Sequence, residues 1–122
     1  MKPTILVIED EPLGARLAEV ILTSQGYQVA IVADGSTGLE ASRADSPSLI
    51  LLDLMLPGID GYEVLDRLKS DPQTASIPVV VLSARAHATD INRATAAGAS
   101  AYVSKPYRRA QLLEAVGSIL RE

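Results

Sequence analysis

The feature that most constrains this chain is a five-fold alternation. Short aliphatic runs at residues 4–8, 27–32, 49–52, 77–82 and 101–104 are each followed by a stretch with apolar residues at helical spacing. Leu13, Leu17, Val20 and Ile21 mark the first such stretch, from Pro12 up to Gly26, and Leu39 sits in a short second one over 36–43. Val64, Leu65 and Leu68 mark the third, ended by Asp71-Pro72. The fourth, 87–97, is weak, with Ile91 its only large apolar residue, and Gly98 stops it. The fifth, 108–121, carries Leu112, Leu113, Val116, Ile119 and Leu120. Strands that are apolar throughout are buried on both faces, and their alternation with amphipathic helices predicts a parallel sheet covered on both sides. The 122 residues are enough for one domain with a real core.

Right-handed crossovers bring the C-terminal ends of all five strands to one edge, where ligands of such sheets bind. The residues that follow the strands therefore matter most. They are Glu9 and Asp10 after the first, Ala33-Asp34-Gly35 after the second, Asp53 after the third, Ser83 after the fourth and Lys105 after the fifth. Asp53 closes the run Leu49-Ile50-Leu51-Leu52, and a bare charge at the edge of a core is unfavourable unless it is paired or used. Carboxylates packed closely want a cation or a shared proton. An all-oxygen set without His or Cys suits Mg²⁺, which keeps open positions. Adding one ammonium and one hydroxyl gives a set that holds phosphoryl oxygens, with a spare carboxylate as nucleophile. Asp53, on the central strand, is the candidate nucleophile, and the adjacent Glu9 and Asp10 suit the metal.

Composition excludes several alternatives. A formal net charge of −4 argues against a dedicated nucleic-acid binder, and the absence of cysteine removes disulfides and thiolate metal sites. No secretory signal pattern or bilayer-length apolar run is present, so no membrane association and a cytoplasmic location are expected. With neither Phe nor Trp, the core must be aliphatic. His87 has no partner for a metal or a triad and is expected to face solvent.

The segments VIEDEP (7–12), LLDLMLPGIDG (51–61), VVLSA (80–84) and AYVSKPY (101–107) together resemble the receiver domains of two-component response regulators, of the chemotaxis-regulator type. The resemblance covers the whole length, 1–122. It implies a flavodoxin-like, doubly wound sheet of five parallel strands in the order 2-1-3-4-5 with five helices. It implies Asp53 as phospho-acceptor, and Mg²⁺ held by Glu9, Asp10, Asp53 and the Met55 backbone carbonyl. Lys105 is implied as the phosphate-binding lysine, followed by a cis bond to Pro106. Ser83 is implied as the switch hydroxyl and Tyr102 as the aromatic that follows it. The implied partners are a histidine kinase or histidine phosphotransfer protein as donor. A target, or a second copy of the chain in a phosphorylation-dependent dimer, would then meet the surface of the fourth helix, fifth strand and fifth helix. The resemblance implies a switch that catalyses only its own phosphorylation and dephosphorylation, not an enzyme with turnover. A receiver excised from a longer transcription factor or hybrid kinase is the alternative.

Two other classes fit less well. A flavin or nucleotide binder of this architecture needs a Ser/Thr/Gly-rich loop after the first strand, where this chain has Glu-Asp-Glu-Pro. A haloacid-dehalogenase-type hydrolase has a second Asp two residues after its nucleophile, where this chain has Met55.

Overall fold

A computed structural model describes residues 2–85 and 87–120. The elements run β1 (Thr4–Ile8), α1 (Pro12–Thr23), β2 (Gln28–Val32), α2 (Gly35–Asp45), β3 (Leu49–Asp53), α3 (Gly61–Ser70), β4 (Val79–Ser83), α4 (Ala88–Ala96), β5 (Ala101–Ser104) and α5 (Arg109–Ile119). All strand pairings are parallel, and the sheet order is β2-β1-β3-β4-β5. This is the doubly wound architecture that the alternation predicts. The predicted end of the last helix, Arg121, lies outside the described residues.

Pleating divides the strand residues between two aliphatic cores. Ile5, Val7, Leu49, Leu51, Val80, Leu82 and Val103 face α1 and α5. Leu6, Ile8, Ile50, Leu52, Val79 and Val81 face α2, α3 and α4. The five residues of β3 are all buried, as are those of β4, which explains their uninterrupted apolar character. β2, at one edge, is only partly covered, and Ile31 is exposed.

Three local expectations change. β4 begins at Val79 and not at Ile77, because Ile77 donates its N–H to Thr74 in the preceding turn and Pro78 has no N–H to donate. α1 buries Ala15, Ala18, Ile21 and Leu22, so of the four residues marking it only Ile21 faces the core. Leu13, Leu17 and Val20 are 79%, 49% and 51% exposed. The helix has two apolar faces, and small alanines let the closer one pack on the sheet. In α4 the buried residue is Ala94, while Ile91 is only half-buried.

The loop after β3 is fixed by Gly61 at the start of α3. A Cβ there would lie 2.6 Å from the Leu54 carbonyl oxygen and closer still to Leu54 Cα. Both are backbone atoms, so any side chain pushes α3 away from the strand that carries Asp53. Gly61→Ala is expected to lose about 2–3 kcal/mol of stability, as measured by urea denaturation; an unchanged midpoint would show that the loop yields freely.

Candidate functional site

The register of the sheet builds the site. Ile8 lies beside Leu52, Asp53 beside Leu82, and Ser83 beside Ser104. The backbone continues these ladders past the strand ends: Glu9 N–H donates to Val32 O at 3.0 Å, and Lys105 N–H donates to Ser83 O at 2.8 Å. Glu9 and Asp53 therefore arrive at one edge on neighbouring strands and Lys105 from β5, beyond β4, each an even number of residues beyond core residues of the α1/α5 face. Glu11 is the N-cap of α1, accepting the Gly14 N–H at 3.2 Å, with Pro12 in the first turn where its missing N–H is harmless.

Lys105 Nζ bridges two carboxylates, at 2.7 Å from Glu9 Oε1 and 2.6 Å from Asp53 Oδ2. Asp53 Oδ1 accepts the Met55 N–H at 2.8 Å. Glu9 and Asp53 are 3% and 4% exposed, whereas Asp10 is open to solvent. One oxygen each of Glu9, Asp10 and Asp53 falls within 4.8 Å of the others. These groups line a pocket of about 320 Å³ together with Glu11, Met55 and Ala84. Three carboxylate oxygens at this spacing, two desolvated and one reaching water, suit a hard divalent cation that keeps part of its hydration shell.

The electrostatics agree. Burial, reinforced by hydrogen bonding to and repulsion from Asp53, pushes Glu9 up to about 7, against the pull of Lys105. Burial also works against Asp53, but its bonds to Glu9, Lys105 and the Met55 N–H hold it below the usual carboxylate range. Lys105 is desolvated too, yet the two carboxylates keep it above its ordinary value. One ammonium does not neutralise the pair, so Glu9 competes for a proton close to neutrality.

Ser83 is fully buried, but its Oγ accepts the Arg85 N–H at 3.1 Å, and among the described hydrogen bonds none joins it to Asp53. Its strand neighbours Val79 and Val81 belong to the α2/α3/α4 core, so Ser83 falls on the opposite face from Asp53. There it lines a separate cleft of about 490 Å³ with Met55, Tyr62, Arg85 and Arg93. Tyr102 is half-buried against the same core and donates its hydroxyl to the Arg85 carbonyl. The Lys105-Pro106 bond is cis, as expected, and His87 is exposed. Sequence reasoning missed Tyr62, whose ring holds the Arg93 guanidinium 3.7 Å from its centroid and whose hydroxyl donates to Asp90 O at 3.3 Å. No local signal links residues so far apart in the chain.

The sequence profile described as the response regulator receiver domain matches residues 5–117. The chain belongs to that family. This receiver is 37% identical over 121 residues to the DNA-binding response regulator MtrA of Mycolicibacterium smegmatis, covering 99% of this chain and 52% of that protein. It is 40% identical over 121 residues to the response regulator PleD of Caulobacter vibrioides, covering 99% of this chain and 27% of that protein. The chain thus spans about half or less of the curated relatives it matches. Its fold superposes, with a TM-score of 0.91, on the receiver domain of sensor histidine kinase PA1611 from Pseudomonas aeruginosa, at 30% identity with both chains fully covered. That structure holds a magnesium ion coordinated in its active site cleft. As a receiver domain, this chain is a module of two-component signalling. Among the described residues, no helix is long and apolar enough to cross a membrane.

A raised Glu9 pKa has a definite sign. The folded state holds the proton more tightly than the unfolded chain, so the associated stability is full below about 4.5 and is lost as pH rises through about 7. Without metal, the parent is expected to lose up to about 3 kcal/mol between pH 4.5 and 7.5 relative to Glu9→Gln. Thermal melting in EDTA across that range checks this, and parallel pH profiles for the two proteins would contradict it.

Proposed function

We propose that this receiver domain, over residues 1–122, is a phospho-accepting switch in which Asp53 takes a phosphoryl group from a phosphohistidine. In that transfer an Asp53 carboxylate oxygen forms the bond to phosphorus while the phosphorus–nitrogen bond to the donor imidazole breaks. The electron pair returns to the ring, and the product is an acyl phosphate. The observation that carries this reading is the convergence of Glu9, Asp10 and Asp53 within 4.8 Å, with Lys105 bonded to two of them.

Glu9 and Asp10, with Asp53 and the Met55 carbonyl, would hold Mg²⁺, and the donor set fits it. Bound there, Mg²⁺ supplies charge neutralisation for the phosphoryl oxygens. Lys105, already within hydrogen-bond reach of Asp53, is placed to follow a phosphoryl oxygen and keep the added charge paired. Two residues after Asp53, where a hydrolase of this chemistry carries its acid/base aspartate, stands Met55, and the nearby Glu9 is tied to Lys105, which supports a switch over an enzyme with turnover. The location is cytoplasmic, where a histidine kinase or histidine phosphotransfer protein supplies the group. Such a donor must cover the pocket mouth, and the exposed Leu13, Leu17 and Val20 of α1 offer it an apolar contact.

Output runs through the other face. Ser83 would turn across the sheet edge toward the phosphoryl group, giving up its bond from the Arg85 N–H. That loosens the segment whose carbonyl holds the Tyr102 hydroxyl. The surface of α4, β5 and α5 then changes for a target or a second copy of the chain. α4 is suited to move because Ala94 is its one buried residue.

A small phosphodonor with Mg²⁺ is expected to add one phosphoryl group, detected by mass, and Asp53→Asn is expected to abolish it. Labelling that persists in Asp53→Asn or appears on His87 sinks the assignment. Phosphorylation is also expected to shift backbone amide resonances of residues 84–85, 87–97 and 101–107; changes confined to α1 and α2 would contradict the output face.

A further inference from the structure

Gly14 lies in the first turn of α1, a position where glycine is less favourable than alanine for the helix. A Cβ built there would lie 2.7 Å from Glu9 Oε1 and 3.3 Å from Glu9 Cδ. The first distance is closer than packed atoms tolerate, so either α1 or the Glu9 carboxylate would have to move. The helix is fixed: Ala15 and Ala18 are buried on the sheet, and the Gly14 N–H is held by Glu11 Oε1 at 3.2 Å. The carboxylate would therefore yield, and the crowded atom, Oε1, is the one bonded to Lys105 at 2.7 Å. Glu9 is 3% exposed, and the open space beside it is the pocket it lines with Asp10 and Asp53, so a shift of its carboxylate is taken within the acidic cluster.

We propose that Gly14 is a positioning residue for the acidic cluster: its missing side chain forms the notch that seats the Glu9 carboxylate against Lys105 and Asp53. Glu9 and Gly14 are a matched pair. An aspartate at position 9 is one methylene shorter, draws its carboxylate back from the notch and has no need of a glycine at 14. With Glu9 present, a methyl group at 14 breaks the Lys105 contact and spreads the three carboxylates. The consequence for metal rests on the Mg²⁺ reading of the cluster, and the metal-free measurement below separates the two.

The test is a double-mutant cycle with a control. Mg²⁺ alone is titrated calorimetrically into the parent, Gly14→Ala, Glu9→Asp, the double variant, and Gly117→Ala, whose Cβ in α5 meets nothing within 4 Å. Gly14→Ala is expected to weaken Mg²⁺ binding about tenfold, in the range seen when residues orienting metal ligands are altered. In the Glu9→Asp background the same change is expected to have no effect. Melting in EDTA supplies the second arm. Gly117→Ala should melt higher than the parent, Gly14→Ala should not, and the rise should return when Gly14→Ala is placed on Glu9→Asp. Unchanged Mg²⁺ affinity in Gly14→Ala, or an equal loss in both backgrounds, overturns the pairing. If the parent binds no Mg²⁺, the metal reading fails and the EDTA cycle alone decides, a rise for Gly14→Ala with Glu9 present overturning the pairing. If Gly14→Ala does not fold, a folded double variant supports the pairing and an unfolded one overturns it.

Discussion

The Lys105 ammonium sits between two carboxylates that the parallel sheet has taken out of water, and the chemistry at the sheet edge depends on that contact. Glu9 and Asp53 come from β1 and β3, neighbours at the centre of the sheet, so their approach follows from strand order. Lys105 comes from beyond β5, the far edge, and reaches back over β4 to bond both. Buried ion pairs of this kind recover their desolvation only when each charge is well bonded. Here the pair of carboxylates meets one ammonium, and burial, with Asp53 beside it, lifts Glu9 to about 7 in spite of Lys105. A divalent cation offsets the remaining negative charge, which is why a site of this composition suits metal-assisted phosphoryl transfer better than an isolated structural salt bridge would.

Pleating separates the chemical site from the elements proposed to report on it. Glu9, Asp53 and Lys105 lie on the α1/α5 side of the sheet edge, while Ser83 and Tyr102 belong to the side covered by α3 and α4. A signal must pass over the edge itself, and the segment around Arg85 is where the two sides meet: its N–H is bonded to Ser83 and its carbonyl to Tyr102. α4 is held lightly, by Ala94 and by the Tyr62 ring and hydroxyl reaching across from α3. A few weak contacts can be exchanged at small free-energy difference, which a two-state element requires.

α1 serves two surfaces at once. Its alanines let it lie close to the sheet, and its larger aliphatic residues Leu13, Leu17 and Val20 stay exposed. The same turn carries the glycine that makes room for the Glu9 carboxylate. Substitutions on this helix therefore divide by face into those that disturb the core, those that alter the exposed apolar face proposed to meet a phosphodonor, and those at Gly14 proposed to move the acidic cluster.

The order of elements, the parallel sheet and the residue types at its functional edge were all determined by the sequence alone. Period-two and helical patterns are local, and parallel crossovers leave no choice about which strand ends converge. Asp53, Glu9, Asp10 and Lys105 were legible as a cluster for that reason. Tertiary structure decided what depends on contacts between distant segments. It put Leu13, Leu17 and Val20 outside and the alanines of α1 inside, because close helix–sheet approach favours small side chains over large ones. It made Ala94, and not Ile91, the buried residue of α4, for the same reason. It placed Ser83 on the face away from Asp53, since one residue of strand register reverses a side chain's direction. It also gave Gly14 its place beside Glu9, a fit between a missing methyl group and one carboxylate oxygen that only the packed helix and sheet define.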